Sequence, residues 1–184
     1  MNLKESIEKF IPYNEQEEID KKYYLEFIDR FEDVLTRNNL FGHFSSSALV
    51  LNKERTKILS VYHLILNGWI YPGGHADGET DLLSVAIREV EEETGLKATP
   101  IQNEIFALQS APTKGHVKRG KYIPAHIHFD VLYLLEADDS LELAFREDES
   151  KGVKWINIAN IDNESIVNFA KENILKALEK LNSN

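Results

Sequence analysis

The stretch PGGHADGETDLLSVAIREVEEETGL, Pro72 to Leu96, runs from a glycine pair into a helical pattern that stops at another glycine. Asp81 is the expected N-cap, and Gly95 stands where a helix commonly ends in left-handed backbone. Projected at about 100° per residue, Leu82–Thr94 gathers Leu83, Ala86, Ile87 and Val90 into one apolar arc, with Leu82 at its edge. Glu89, Glu92 and Glu93 share the neighbouring arc, because spacings of three and four bring helix side chains together. Glu91 points away, toward solvent.

That carboxylate flank is locally unfavourable. Like charges at these spacings repel by a few tenths of a kcal/mol per pair. They also lie in the C-terminal half of the helix, where the macrodipole disfavours anions. A divalent cation removes the conflict, and clustered carboxylate oxygens suit a hard ion such as Mg2+. A solvated acidic face is the plain alternative. The loop before the helix weighs against it, since Gly73 and Gly74 let backbone approach a ligand closely and Gly78 permits a further tight turn.

On either side the pattern is mixed α/β. Residues 1–41 read as helical, with a first piece Ser6–Ile11 stopped before Pro12 and a second opened by Asn14 and Glu17 as a capping box. Ile19, Tyr23, Phe27, Phe31 and Leu35 give the second piece an apolar stripe. Strands are expected at Ser45–Leu51 and Lys57–His63, joined as a hairpin, then at Trp69–Tyr71, Glu104–Ser110, His126–Glu136 and Gly152–Ile158. Ala111–Pro124 reads as a long loop, and Ser165–Leu181 as a closing amphipathic helix. The sum is a sheet between helices.

The chain has 184 residues, no cysteine and a formal net charge of −10. Disulfides, thiolate zinc sites and a cysteine nucleophile are excluded. The charge disfavours binding to a nucleic-acid polymer or an anionic membrane. The N-terminus carries no apolar signal-peptide core and no run is long enough to span a bilayer, so a cytoplasmic protein is expected. Seven acids and one base, Arg88, lie between Gly73 and Leu96. By contrast Lys114–Lys121 holds four bases, a histidine and no acid. Lys118 and Arg119 there are candidates to face phosphate; a surface loop with solvated bases is the plain alternative. His126 and His128 alternate on a strand and so share a face; pocket lining is the commoner role for such a pair, and metal ligation the rarer. His75 follows the glycines and is a candidate substrate contact.

The segment from Gly74 to Leu96 resembles the Nudix box, G-x5-E-x7-R-E-U-x-E-E-x-G-U with U a bulky aliphatic residue. Arg88-Glu89-Val90-Glu91-Glu92-Glu93-Thr94-Gly95-Leu96 meets every specified position of its second half, and Gly74 is correctly spaced. The departure is the central glutamate: the pattern places it at Thr80, whereas the sequence has Glu79. The resemblance implies a Nudix-like α/β/α sandwich with a mixed sheet over 42–184 and an N-terminal helical extension over 1–41, placed either to cap the pocket or to form a homodimer. It implies a metal-dependent hydrolase that cleaves the diphosphate linkage of a nucleoside diphosphate derivative, with Mg2+ or Mn2+ held by Glu89, Glu92, Glu93 and the carbonyl of Gly73 or Gly74. Arg88 matches the arginine that orients a catalytic glutamate. Glu89 and Glu149 are the candidate bases, with Glu147 after Glu149. Glu79, His75, Lys118, Arg119 and His128 are candidate substrate residues. Three other readings compete: a catalytically silent nucleotide-sensing module, an isomerase of the same fold that relies on a cysteine absent here, and an acidic Ca2+-binding structural protein.

Overall fold

The computed structural model describes residues 2–118, 120–145 and 150–183, the side chain of Lys118 excepted. Two helices come first, α1 (Leu3–Lys9) and α2 (Glu15–Arg30). Strands β1 (Gly42–Leu51), β2 (Lys57–His63), β3 (Gly68–Ile70) and β4 (Gly73–His75) lead to helix α3 (Leu82–Thr94). Then come β5 (Thr99–Pro100), β6 (Ala107–Thr113), β7 (His116–Lys118), β8 (Lys121–Ile123), β9 (His126–Glu136) and β10 (Ser150–Asn157). A 3-10 turn and helix α4 (Asn168–Asn182) close the chain.

The main sheet runs β10-β2-β1-β9-β5, with β3 on β2, β4 on β1 and β6 on β9. It is mixed: β1 and β9 are parallel over their whole shared length, Gly42 opposite Ile127 through Leu51 opposite Glu136, and every other pairing is antiparallel. Because successive strand residues alternate between faces, β1 splits into two sets. Phe44, Ala48 and Val50 join Phe129, Val131 and Tyr133 under α1, α2 and α3. Leu49 and Leu51 join Leu132 and Leu134 under α4, through Ala170, Ile174 and Ala177. The architecture is thus a curled mixed sheet between two helical layers. No helix among the described residues is long and apolar enough to cross a membrane.

Several expectations are corrected. The first helix starts at Leu3, not Ser6, because Asn2 and Glu5 form a complete capping box. Asn14 does cap α2, accepting from the Glu17 amide at 3.0 Å, but Glu17 reaches back to the Tyr13 amide instead of closing the box. The stripe in α2 is displaced. Phe27 is buried as expected, but Ile19 and Tyr23 are 57% and 41% exposed, and Glu17 and Tyr24 are buried instead. The helix stops at Arg30, so Phe31 and Leu35 lie beyond it. The buried face follows the aromatic partners: Phe27 stacks on Phe129 at 4.1 Å, and Tyr24 meets Phe44 edge-on at 5.4 Å. The Tyr24 hydroxyl donates to the Asp130 carbonyl at 2.9 Å.

The long loop expected at Ala111–Pro124 is mostly strand. β6 continues to Thr113, and β7 pairs with β8 as a small hairpin, Val117 opposite Tyr122. Gly120 supplies the left-handed backbone of its turn, with φ +77°.

Candidate active site

Helix α3 is built as its sequence dictates. Asp81 accepts from the Ser84 amide at 3.3 Å, and Gly95 takes φ +73° with its amide on the Glu91 carbonyl. Its buried side is Leu82, Val85, Ala86, Val90 and Thr94, while Leu83 and Ile87 are only partly covered, so the apolar arc lies slightly round from its projected centre. The Ser46 hydroxyl, on β1, donates to the Leu82 carbonyl at 2.6 Å and pins the first turn to the sheet.

This packing lays two of the three carboxylates against β4. The Gly73 amide donates to Glu93 Oε2 at 3.0 Å. A Cβ on Gly74 would sit 2.3–2.6 Å from the carboxylate atoms of Glu89, so only glycine admits that approach. Glu89 is largely covered, its side chain 18% exposed, whereas Glu92 is 47% exposed. Arg88 ties the flank together. It pairs with Glu79, with Glu89 at 3.3 Å and with Glu92 at 3.5 Å. The hydrogen bonds with Glu79, first, and with Glu89 raise the guanidinium pKa further. Glu79 therefore reaches the helix flank although it stands one residue early. The expected site residues Glu147, Glu149 and Arg119, and the side chain of Lys118, lie outside the described residues.

The residues before β1 are tied to the loop after the glycines. Gly78 donates to the Leu35 carbonyl at 2.9 Å. Arg37 forks onto Asp77, which holds a left-handed φ of +48°, and this hydrogen-bonded pairing lowers the Asp77 pKa.

The opposite face of the same strands carries a second polar group. His43, Ser45 and Ser47 of β1, His75 of β4, and His126, His128 and Asp130 of β9 share it by register. Asp130 is buried and accepts from Ser45 Oγ at 2.8 Å and Ser47 Oγ at 2.9 Å. Burial pushes its carboxyl up to about 6, against the pull of those two hydroxyls. The rings of His43, His75 and His128 lie 4.9–5.1 Å apart by centroid. Burial first, then the neighbouring imidazoles, holds His43 down at about 4 and His128 at about 3, so both are neutral near pH 7. His126 Nε2 is 3.0 Å from His128 Nε2, and its Nδ1 is 2.8 Å from the Pro124 carbonyl. The basic hairpin stands beside this group, with the His116 ring 6.2 Å from that of His126.

His75 and His128, expected singly, are thus brought together. His43, Asp130 and the two serines were missed. Their signal was the alternation His43-Ser45-Ser47 and His126-His128-Asp130 within otherwise apolar strands.

The NUDIX domain model matches residues 42–178. An RNA pyrophosphohydrolase of Pelagibacter ubique is 30% identical over 107 residues, 56% of this chain and 67% of that protein. An m7GpppN-mRNA hydrolase of Xenopus laevis is 34% identical over 86 residues, 47% of this chain but 27% of its own length. A crystal structure of a NUDIX-family hydrolase from Clostridium perfringens is similar at a TM-score of 0.54 and 24% identity, covering 76% of this chain and 97% of that one. The last likeness speaks to fold, the first three to descent. Together they define an enzyme acting on phosphorus anhydrides, a pyrophosphohydrolase. The chain belongs to the Nudix family.

Proposed function

We propose that the chain hydrolyses the diphosphate linkage of a nucleoside diphosphate derivative, using Mg2+ or Mn2+ held by Glu89, Glu92, Glu93 and the Gly73 carbonyl. The observation that carries this reading is the seating of Glu89 and Glu93 against the glycine pair. Hard carboxylate oxygens crowded on one helix flank suit such an ion. When bound, the ion supplies charge neutralisation on the diphosphate oxygens.

The protein's own groups do the rest. The Gly73 amide fixes Glu93, and Arg88 holds Glu89 in one orientation. Glu89, held between Gly74 and Arg88, takes the proton of the attacking water, with Glu149 as the other candidate base. Glu79, Lys118 and Arg119 contact the substrate, the last two on its phosphates. Residues 1–41 are an extension that caps this end of the 42–184 domain, supported by the ties of Leu35 and Arg37 to the loop after the glycines.

Phosphate release, coupled to a phosphatase, is to be measured over a panel of nucleoside diphosphate derivatives with Mg2+ or Mn2+. Glu93→Gln is expected to abolish turnover at unchanged Tm. Cleavage of none of the panel, or full activity in that variant, refutes the reading.

A further inference from the structure

We propose that His43, His75 and His128 form a second cation site, one for a borderline-soft divalent transition metal of the zinc class. It lies on the sheet face opposite the α3 carboxylates and does not depend on the assignment made to them.

The register builds it. His43 is directly opposite His128 in the parallel β1–β9 pair, and His75 follows Gly74 on β4, whose pairing with β1 places it opposite Ser45. One nitrogen from each ring lies within 4.8 Å of the other two. A tetrahedral zinc with bonds of about 2.0–2.1 Å spaces its nitrogens by about 3.4 Å. Rotation of the partly buried His75 and His128 would close that difference around His43, which forms the floor at 4% exposure. The donor set is three imidazoles with no carboxylate, a set that favours zinc over Mg2+ or Mn2+. Asp77, which acts electrostatically on His75 and His43, is engaged by Arg37, and Asp130 by Ser45 and Ser47.

A second observation points the same way. Neither ring nitrogen of buried His43 makes a hydrogen bond of good geometry among the described residues, although the Asn39 backbone lies near enough to favour the protonated ring. A buried imidazole normally spends both nitrogens on partners. One left without a well-formed hydrogen bond and packed against two other imidazoles is free to ligate an ion.

His126 serves as the positioning residue. Its Nδ1 faces a carbonyl, that of Pro124, and so must donate. While neutral, its Nε2 then accepts, and His128 Nε2–H donates to it, leaving Nδ1 of His128 with the lone pair. Such outer partners fix the tautomer of metal-binding histidines. Three protein ligands leave a fourth position for water or a ligand oxygen.

The test uses the full chain, stripped with chelator and titrated with Zn2+ by calorimetry in saturating Mg2+. Uptake of one zinc per chain is expected, and Co2+ in its place should give the visible spectrum of a tetrahedral nitrogen site. His75→Ala and His128→Ala, both at partly exposed positions, should lose that uptake, and His126→Gln should weaken it about 10–100-fold. Glu93→Gln should retain it. No zinc uptake, uptake unchanged in both ligand variants, or uptake lost in Glu93→Gln overturns the proposal. A raised KM in His75→Ala without any zinc uptake does so too, and marks the rings as direct substrate contacts.

Discussion

Replacing Gly74 with alanine separates activity from folding. The added methyl would stand 2.3 Å from Glu89 Cδ and 2.5–2.6 Å from both carboxylate oxygens. Ordinary contacts to a Cβ start near 3.4 Å, so the carboxylate must retreat by about 1 Å. Gly74 is not among the glycines with positive φ, so alanine meets no backbone strain there. The obstructed atoms are the far end of a flexible side chain, so moving them costs the fold little. Catalysis does not share that tolerance, since a misplacement of about 1 Å at a reacting group costs about 100-fold in rate. The expected result is kcat lowered about 100-fold with Tm within a degree or two of wild type. Gly73→Ala is the contrast: its methyl would meet Ser47 Oγ at 2.3 Å and Ser47 Cα, a backbone atom, at 2.8 Å. It should lower Tm as well as rate. Wild-type kcat in a folded Gly74→Ala protein would refute the claim that Glu89 works from this position.

Two further predictions concern buried charge. Asp130 titrates at about 6 in the fold against a usual 3.8, so between those values the folded chain keeps a proton that the unfolded chain has released. Stability from this group therefore falls as pH rises through that window, by up to about 3 kcal/mol in all. Asp130→Asn removes the effect, so the variant's stability relative to wild type, from urea melts, should climb between pH 4 and 6 and then level off; a pH-independent difference contradicts the burial argument. Elsewhere, Lys176 Nζ lies 3.0 Å from Oε1 of Glu17, whose side chain is fully buried. Lys176→Met strands that carboxylate and should destabilise the chain by about 3–5 kcal/mol, largely recovered by adding Glu17→Gln. A loss under about 1 kcal/mol in the single variant would show that solvent or another cation already serves Glu17.

What could be read in the sequence was local. The caps at Asp81 and Gly95 and the spacing of Glu89, Glu92 and Glu93 depend on a few consecutive residues, and α3 forms with those bounds. The displaced stripe of α2 shows the limit. Ile19, Tyr23 and Phe27 fit a four-residue repeat, yet the buried face is shifted so that Tyr24 joins Phe27 against Phe44 and Phe129, residues far along the chain. The histidine group was illegible for the same reason. His43, His75 and His128 meet only once β1 lies between β4 and β9, and strand order is not written in local periodicity. The β7–β8 hairpin was hidden because its strands are only three residues each and carry little alternation.

The pairing of β1 with β9 also governs when the enzyme is born. A nascent chain emerging from the ribosome can coil α3 early, from contacts within one segment. Parallel partners so distant in sequence must wait until synthesis has passed Glu136, and closing so large a loop slows the search. Until then the backbone edge of β1 that β9 covers has no partner, and Phe44 and Val50 lack Phe129, Val131 and Tyr133. That interval is when the chain is most exposed to aggregation and most in need of a chaperone.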